Sequence, residues 1–493
     1  MRKMLSSTER RRLEIIERLT QEKNWVGLEE LATEVGCSSK TLGTDFQFFD
    51  MVWKDYFTIE FSKKKGVRIH QNRESKMESI YAETLQQSST FNFFEQLFFM
   101  PYQSVDYWKN KLYISESSLY RLVSQINVEM EKCGIHVERQ PFIVNGKDER
   151  WLRIHYTNYF EQAYGANGWP FEQLDRKVIV GLVQKIGENI HLDLTDEQIV
   201  RSSLCVGVCL TRMQQGFILE ESITHGVPDD YYELAIKEVT EQTQAAVAFK
   251  LPPYWYKGIS RTVYHHLYGW DNAEEKKRIE GYIDEIITNI SEASGIKINN
   301  KDRTKLVFRI TGLYTQYKMF PYIRFSLFNN YHYQAQRMYE NYPFFSKFME
   351  DSLERLEKKT KFPWKTKLRD HVTCILFADW SNLPILLETL RDKVQILVIS
   401  SVGETHAKML GSILGMYYHY HIETEIFHRS MLTISEADKK AFNQYDMVVS
   451  NSTWKELPKE KLFVVDNIPS VKQISEIGAE IGRLQLMVHK GEK

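Results

Sequence analysis

The sequence predicts a multidomain, mainly α-helical protein that ends in a small α/β domain with a parallel sheet. Three observations predict this fold class. A chain of 493 residues is longer than one hydrophobic core usually serves, so several domains are expected. Apolar residues recur at helical spacing through most of the chain. After residue 391, strand-like apolar runs alternate with helices, which is typical of a parallel sheet.

The composition is that of a water-soluble chain without extreme charge. Hydrophobic residues make up 43% and charged residues 26% of it, which suits several cores with a solvated surface. The net charge is 64 − 65 = −1, so a polyanionic partner must meet a local basic patch. Five scattered cysteines argue against a disulfide framework, and no run approaches the roughly 18 apolar residues of a membrane span. We expect a cytoplasmic protein that does not contact the membrane.

Residues 1–74 predict a winged helix-turn-helix unit. A first helix is indicated by Leu13, Ile16 and Leu19. A second, short helix is indicated by apolar residues at i, i+3, i+4 and i+7, namely Leu28, Leu31, Ala32 and Val35. A third helix follows Gly36, with Ser38 or Ser39 as its N-cap. The apolar face of this third helix contains Leu42, Phe46 and Phe49. Two helices joined by a tight turn form the helix-turn-helix pattern.

The third helix leaves a polar outer face, and a hairpin with a basic tip follows it. The outward residues are predicted to be Ser39, Lys40, Thr41, Thr44 and Gln47, with Phe48 as a further candidate. The hairpin strands pair Ile59 and Phe61 with Val67 and Ile69, Gly66 permits the turn, and the tip carries Lys63, Lys64 and Lys65. Such a helix fits the major groove of DNA, while the wing lysines neutralise phosphates. The alternative is a winged helix that contacts only protein.

Residues 75–165 repeat the pattern. One apolar stripe comprises Val105, Trp108 and Leu112, and the next comprises Leu119, Leu122, Val123 and Ile126. Ser115 or Ser117 is the predicted cap between them, and 135–139 with 142–144 form a second wing closed by "NGKD". The outward residues are Ser118, Arg121 and Ser124, of which Arg121 suits a guanine or phosphate contact. Two such units in one chain favour double-stranded DNA as the partner.

The remainder divides into a helical middle and an α/β end. Helical patterns fill about 171–370 and recur with a period near one hundred residues, which indicates duplicated helical domains at 166–287 and 288–391. In 392–493, a strand at Val394–Ile399 precedes a helix, and further strands are predicted at "ETEIF", "DMVVSN" and "KLFVVDN". A last helix carries Ile474, Ile477 and Ile481 on one side. Strands that alternate with helices predict a small parallel sheet.

This order of units resembles the Mga/AtxA family of virulence-gene regulators from Gram-positive bacteria. The resemblance implies a DNA-binding transcription regulator whose two helical domains are regulation domains of the sugar phosphotransferase system (PTS). It also implies an enzyme IIB-like C-terminal domain, phosphorylation by a phosphocarrier protein, and a homodimer. An RNA-binding antiterminator shares the helical domains, but its N-terminal domain differs, so it is the second hypothesis.

The resemblance directs attention to histidines, because a neutral imidazole nitrogen accepts a phosphoryl group near neutral pH. In PTS regulation domains a histidine lies seven positions before an arginine, but here Cys205 lies seven before Arg212. In the second repeat Arg309 and Gln316 occupy these positions. A second histidine follows a leucine-proline stretch, and three residues match it: His265, His266 and His371. Arg261 and Lys367 precede them by one helical turn. Weaker candidates are His191, His225 and His332.

Two further groups of residues could bind a metal or accept a phosphoryl group, but their sequence context does not favour either role. Cys205 and Cys209 share a helix face and could hold a metal, but their apolar neighbours favour core packing, and we expect neither a metal nor a cofactor. In the enzyme IIB-like domain, Ser400 of "SSVG" stands where a true IIB enzyme has its phosphorylated cysteine. Because serine is a poorer acceptor than a thiolate, phosphotransfer is not expected there. An enzyme that pairs Ser400, Ser401 or Thr405 with His406 is the third hypothesis.

Overall fold

The computed structural model describes residues 1–22, 24–219, 230–264, 270–322 and 327–489. The chain divides into two compact units. The N-terminal unit comprises 1–283 and 307–333, and the C-terminal unit comprises 284–306 and 334–493. Among the helices of the described ranges, none is both long and apolar enough to cross a membrane.

Two helix-turn-helix units open the N-terminal unit. The first consists of α1 (Ser7–Gln21), α2 (Leu28–Glu34), α3 (Ser39–Val52), β1 (Phe57–Ser62) and β2 (Gly66–Gln71). Two connecting helices follow, α4 (Met77–Gln87) and α5 (Ser89–Phe99). The second unit consists of α6 (Val105–Leu112), α7 (Glu116–Met130), β3 (Ile135–Arg139) and β4 (Phe142–Gly146). Each pair of strands is an antiparallel hairpin, so both predicted wings are confirmed. The "NGKD" segment ends β4, and its Asp148 caps the next helix.

Where it is described, the middle of the chain is helical, as predicted. The helices of the first half are α8 (Glu149–Tyr164), α9 (Arg176–Asn189), α10 (Asp196–Gln214), α11 (Asp230–Lys237), α12 (Thr240–Ala245) and α13 (Trp255–Val263). Those of the second half are α14 (Ala273–Ser294), α15 (Asn300–Met319), α16 (Asn330–Asn341), α17 (Pro343–Thr360), α18 (Trp364–Asp379) and α19 (Leu383–Thr389).

The chain ends in an α/β domain built on four parallel strands, which confirms the predicted sheet. Its elements are β5 (Val394–Ile399), α20 (Glu404–Tyr418), β6 (Ile422–Ile426), α21 (Glu436–Phe442), β7 (Met447–Ser450), β8 (Leu462–Val464) and α22 (Val471–His489). The strand order is β6-β5-β7-β8. The side chains of Ile474, Ile477 and Ile481 on α22 are buried with β5 in one apolar core, as the helical spacing predicted.

Contacts between the N-terminal segment and α7 join the two helix-turn-helix units. Met4 and Leu5 are buried, and the side-chain amide of Gln125 on α7 donates to the carbonyl oxygens of Lys3 and Met4 at 3.0 and 3.1 Å. One continuous apolar core includes residues of both units. The two helix-turn-helix units therefore belong to one packed body.

A buried ionic cluster joins α8 to α10. The carboxylate of Glu149 accepts from Arg153 Nε at 3.1 Å and from Arg212 Nη2 at 2.8 Å. Both arginines are almost fully buried, and the Arg212 guanidinium stacks 3.4 Å from the centre of the Phe217 ring. Arg212, the arginine to which the resemblance to PTS regulation domains drew attention, thus has a packing role. Cys205 and Cys209 are buried beside this cluster, so their predicted core location is confirmed.

His155 on α8 makes the stability of the N-terminal unit depend on pH. Its imidazole is buried, neither ring nitrogen has a hydrogen-bond partner among the described residues, and burial lowers its pKa from 6.5 to about 4. Between these values the unfolded chain binds a proton that the folded chain excludes, so stability falls as the pH falls. From pH 7 to pH 5 we expect a loss of about 2 kcal/mol from this group. Hydrogen exchange of the α8 backbone at both pH values, corrected for intrinsic exchange, measures it.

The matched variant is His155→Phe, which fills a similar volume without a titrating group. From pH 7 to pH 5 the corrected exchange rate of α8 should rise in the wild type because of His155. In His155→Phe this rise should be about 30-fold smaller. Equal pH dependence in both proteins would contradict the assignment to His155.

Candidate DNA-binding interface

Helix α3 presents a polar face to solvent because its apolar stripe is buried. Its N-cap is Ser38, whose hydroxyl oxygen accepts from the Thr41 backbone N–H at 3.1 Å. The predicted stripe of Leu42, Phe46 and Phe49 is buried, which confirms the predicted helix orientation. Of the predicted outward positions, Ser39, Lys40, Thr44 and Gln47 are exposed. Thr41 is half-buried, and its hydroxyl lies 2.9 Å from that of Ser38.

Phe48, the further candidate for the outer face, is half-buried. The Arg12 guanidinium lies 3.5 Å from the centre of the Phe48 ring, and the ring packs edge-on to Trp53 at 5.4 Å. A cation above one face of the ring and an indole at its edge leave it half-buried. Leu28, expected in the core, is instead exposed at 38%, because it is the first residue of α2.

Asp45 fixes α3 to α1, although it was not among the predicted functional residues. Its carboxylate accepts from Arg11 Nε at 2.7 Å, from Arg11 Nη2 at 3.2 Å and from Arg12 Nε at 3.0 Å. Only 1% of Asp45 is exposed. The spacing contained the signal, since Leu42, Asp45, Phe46 and Phe49 are at i, i+3, i+4 and i+7. A carboxylate on an apolar stripe requires a buried cationic partner.

Cys37 ends the turn before α3. It is half-buried, and burial raises the pKa of its thiol, although the nearby Arg11 charge opposes this effect. The thiol therefore stays protonated at neutral pH and adds no negative charge beside the N-terminus of α3.

The first wing holds a basic tip on a fixed hairpin. The strands pair Ile59 with Ile69 and Phe61 with Val67, as predicted, and Lys63–Lys65 lie exposed between them. Glu60 pairs with Arg68 at 2.6 Å and His70 at 3.2 Å, and the Arg68 hydrogen bond, followed by that of His70, lowers the pKa of Glu60. The carboxylate thus engages Arg68 and His70 on the strand, and the lysines stand apart at the tip.

The second helix-turn-helix unit repeats this arrangement. Ser115 caps α7 by accepting from the Ser118 N–H at 3.2 Å, so Ser118 is half-buried within the cap. Arg121 and Ser124 are exposed, as predicted. Of the predicted stripes, Trp108, Leu119, Val123 and Ile126 are fully buried. Val105, Leu112 and Leu122 of the predicted stripes are half-buried.

Two residues beside this second helix escaped the sequence analysis. Tyr113, in the turn between α6 and α7, adopts a left-handed backbone with φ of 53° and exposes 94% of its surface. Arg139, at the end of β3, lies with its guanidinium 5.3 Å from the centre of the Tyr120 ring on α7. Neither residue follows a periodic pattern, so only the folded geometry shows that they flank the exposed face of α7.

Charge on this surface is local. Residues 1–75 contain fourteen Lys and Arg against twelve Asp and Glu, a net charge of +2. Arg11 and Arg12 are paired with Asp45. The exposed positive charge of the first helix-turn-helix unit includes instead Lys40 and the wing-tip residues Lys63–Lys65. Chemically, α3 and α7 can donate and accept hydrogen bonds at base edges, and the lysines can neutralise phosphates.

Comparisons with known proteins agree with this geometry. Residues 7–65 match the M protein trans-acting positive regulator (MGA) HTH domain, and residues 73–160 match the Mga helix-turn-helix domain. These two domain matches support the resemblance to the Mga/AtxA family. Both matches coincide with the winged units, so the chain carries two helix-turn-helix domains toward its N-terminal end.

Relatives extend the comparison along the chain. A protein described as a trans-acting regulator of Streptococcus pneumoniae serotype 4 is 23% identical over 97% of this chain and 98% of its own length. The capsule synthesis positive regulator AcpB of Bacillus anthracis is 26% identical over 42% of this chain and 43% of its own. The anthrax toxin expression trans-acting positive regulator of the same organism is 18% identical over 48% and 49%. The alignments cover less than half of the two Bacillus proteins.

The histidines that the family resemblance suggested have separate locations. His265 and His266 lie outside the described residues, as does His225. His371 lies half-buried on α18, one turn after the exposed Lys367. The weaker candidates His191 and His332 lie just after α9 and in the first turn of α16. In the described part of the chain, no cluster of three or more His, Cys, Asp or Glu residues is arranged to hold a metal ion.

Proposed function

We propose that this chain is a Mga/AtxA family member, a cytoplasmic positive regulator of transcription that binds promoter DNA through both winged helices. The observation that carries the proposal is the pair of helix-turn-helix units, each with a polar, exposed second helix. The Bacillus relatives are named as positive regulators, which supports activation rather than repression.

In this function α3 and α7 enter successive stretches of the major groove. Gln47 is suited to adenine and Lys40 or Arg121 to guanine, because these side chains match the hydrogen-bonding edges of those bases. Ser39, Thr41, Thr44, Ser118 and Ser124 supply short hydroxyl contacts. The lysines of the first wing contact phosphates, which fix position without reading sequence.

Fluorescence anisotropy with a promoter-length duplex across a salt series tests the proposal. The full chain should bind with a strong salt dependence, and changing both Lys40 and Arg121 to alanine should weaken binding at least about tenfold. A hairpin RNA in a parallel titration distinguishes the antiterminator hypothesis. No DNA binding at low salt would overturn the proposal, and preferential binding of the RNA would favour the alternative.

Replacing Lys63–Lys65 with alanine should flatten the salt dependence of DNA binding. Each phosphate contact contributes a slope of about 0.9 in log affinity against log salt, so loss of three contacts lowers the slope by up to about 2.7. The effect should be similar on unrelated sequences, since phosphate contacts carry no sequence information.

A control with the same change in net charge replaces Lys455, Lys459 and Lys472, exposed residues of the α/β domain. If the interface lies on the winged units, this control retains the wild-type slope. A wild-type slope in the wing variant would remove the first wing from the interface.

We further propose that the helical middle of the chain responds to phosphorylation by a phosphocarrier protein of the PTS, at His265, His266 or His371. A phosphoryl group brings a charge of about −2 to the side chain, which can reorganise a packed helical interface. The proposed consequence is a change in the self-association of a homodimer, whose twofold symmetry suits paired DNA sites.

The His371→Asp variant should shift the monomer-dimer equilibrium if a negative charge at this position acts as the signal. Analytical ultracentrifugation of wild type, His371→Asp and His371→Ala measures the shift, and the alanine variant separates charge from loss of the ring. Labelling with the general PTS proteins provides the direct test. If no histidine is labelled, the phosphorylation scheme fails while the DNA-binding proposal stands.

A further inference from the structure

The carboxyl ends of the parallel strands in the α/β domain gather polar side chains at one point. β5 pairs with β6 on one side and β7 on the other, so the chain leaves β5 toward one edge of the sheet and later returns on the opposite side. Such a reversal of strand order opens a crevice at the carboxyl ends, where parallel α/β sheets bind ligands. The segments after β5 and β7 border this crevice.

Hydrogen bonds lock these two segments together. The Ser401 N–H donates to Asn451 Oδ1 at 2.8 Å, and Asn451 Nδ2 donates to Ser401 Oγ at 3.0 Å. The Ser452 hydroxyl donates to the same Ser401 oxygen at 2.9 Å. The loop after β5 is therefore held in one geometry.

Within this loop, Ser400 has the partners of an activated nucleophile. Ser400 Oγ lies 2.7 Å from His406 Nδ1, and His406 Nε2 lies 2.7 Å from the Asn467 carbonyl oxygen. A carbonyl can only accept, so the hydrogen of a neutral His406 is on Nε2, and Nδ1 must accept from the serine hydroxyl. A hydroxyl, a base and a group that orients the base form the arrangement that activates serine in covalent catalysis.

The remaining contacts of Ser400 leave it able to react. Its oxygen accepts from the Val402 N–H at 3.0 Å, so one lone pair is used, and the second meets no donor among the described residues. Ser400 and His406 are both half-buried, so a small molecule can approach. Gly403, with φ of 125°, precedes α20 and provides no side-chain cap, so the first backbone N–H groups of this helix can receive anionic oxygens.

We propose that Ser400 is an acceptor for a phosphoryl group carried on an activated leaving group. Ser400 Oγ attacks phosphorus, the new O–P bond forms as the bond from phosphorus to the leaving group breaks, and the leaving group departs with the electron pair. The hydroxyl proton passes to His406 Nδ1 and then to the leaving group or to water. Nothing is oxidised or reduced.

The contact with His406 bears on whether Ser400 can accept a phosphoryl group in place of the cysteine of IIB enzymes. A free serine is a poorer acceptor than a thiolate, which is why the sequence analysis discounted Ser400. A hydrogen-bonded imidazole supplies the base that a free serine lacks, and such catalysis contributes about 100-fold or more. Glu404, the first residue of α20, is paired with Lys408 and His428, so its charge is partly neutralised where a phosphoryl group would enter.

The test incubates the full chain with acetyl phosphate, an acyl phosphate, and separately with phosphoramidate, which presents the P–N bond of a phosphohistidine. Fragment mass spectrometry should locate one phosphoryl group on Ser400 with at least one donor. Ser400→Ala should lose it, and His406→Asn should slow its formation by about 100-fold or more. Ser412→Ala, an exposed serine further along α20, serves as the control and should label at the wild-type rate.

Two results would overturn the proposal. One is an unlabelled Ser400 with both donors, and the other is a wild-type labelling rate in His406→Asn. Circular dichroism of each variant checks that the domain remains folded. DNA binding is not required for any of these outcomes, so they are independent of the function proposed above.

Discussion

Changing Asp45 to alanine should destabilise the first helix-turn-helix unit by about 3 to 5 kcal/mol. The substitution leaves the Arg11 and Arg12 guanidinium groups, only 19% and 18% exposed, without their shared carboxylate, and breaking a buried pair from one side costs about this much. The helix that carries Lys40, Thr44 and Gln47 would then lose its anchor to α1. Hydrogen exchange of α1 and α3 in the intact chain should accelerate by at least about 100-fold, which corresponds to the lower end of that range.

Asp50→Ala provides the matched control, because Asp50 lies on the same helix but is exposed. Its exchange should match the wild type within about threefold, since surface substitutions rarely exceed 0.5 kcal/mol. Equal protection in Asp45→Ala and Asp50→Ala would mean that apolar packing alone holds α3 to α1.

Changing Gly66 to alanine should detach the first wing from the helices. Gly66 has φ of 99°, and a Cβ atom there would lie 1.9 Å from the Val26 carbonyl oxygen. That oxygen accepts from the Val67 N–H at 2.8 Å, and the Val26 N–H donates to the Val67 carbonyl oxygen at 2.8 Å. Left-handed backbone costs a residue with a Cβ about 1 to 2 kcal/mol, and each lost hydrogen bond costs about 1 kcal/mol. The expected local loss is therefore about 3 to 4 kcal/mol.

The measurement is hydrogen exchange of the Val26 and Val67 amides, which should accelerate by at least about 100-fold. Gly43→Ala supplies a control of opposite sign. Gly43 lies within α3, and beyond the nearby backbone of that helix its added Cβ would have no atom within 4 Å, so alanine should stabilise the helix by up to about 1 kcal/mol. Retained protection of both amides in Gly66→Ala would show that the backbone moves to accept the methyl group at little cost.

Local patterns predicted the elements of the fold well. The caps at Ser38 and Ser115, the pairing of Ile59 with Ile69 and the parallel strands near the C-terminal end all depend on residues close in sequence, which periodicity and turn chemistry report directly. Helical spacing placed Leu28 in the core and offered Phe48 as an outward residue. Spacing assigns a face, but it shows neither where a helix begins nor which side chains cover that face.

The chemistry of the sites was harder to predict, because it depends on distant residues. Asp45 meets arginines more than thirty positions away, and His406 is oriented by the Asn467 carbonyl, 61 positions away. The sequence showed only that Ser400 stands in place of a cysteine. The structure shows that His406 lies within hydrogen-bond distance of Ser400. The periodicity of a single helix or strand does not predict this contact.

The contacts of Gln125 with Lys3 and Met4, together with the shared apolar core, have a consequence for target recognition. If both winged units belong to one packed body, α3 and α7 cannot adjust independently to a displaced partner sequence. The protein would therefore require a fixed separation, and a fixed angle around the double helix, between the two DNA segments that it contacts. Inserting about five base pairs between the two contacted segments, half a helical turn, would place the second on the opposite side of the duplex, whereas inserting a full turn would restore the angle but not the distance.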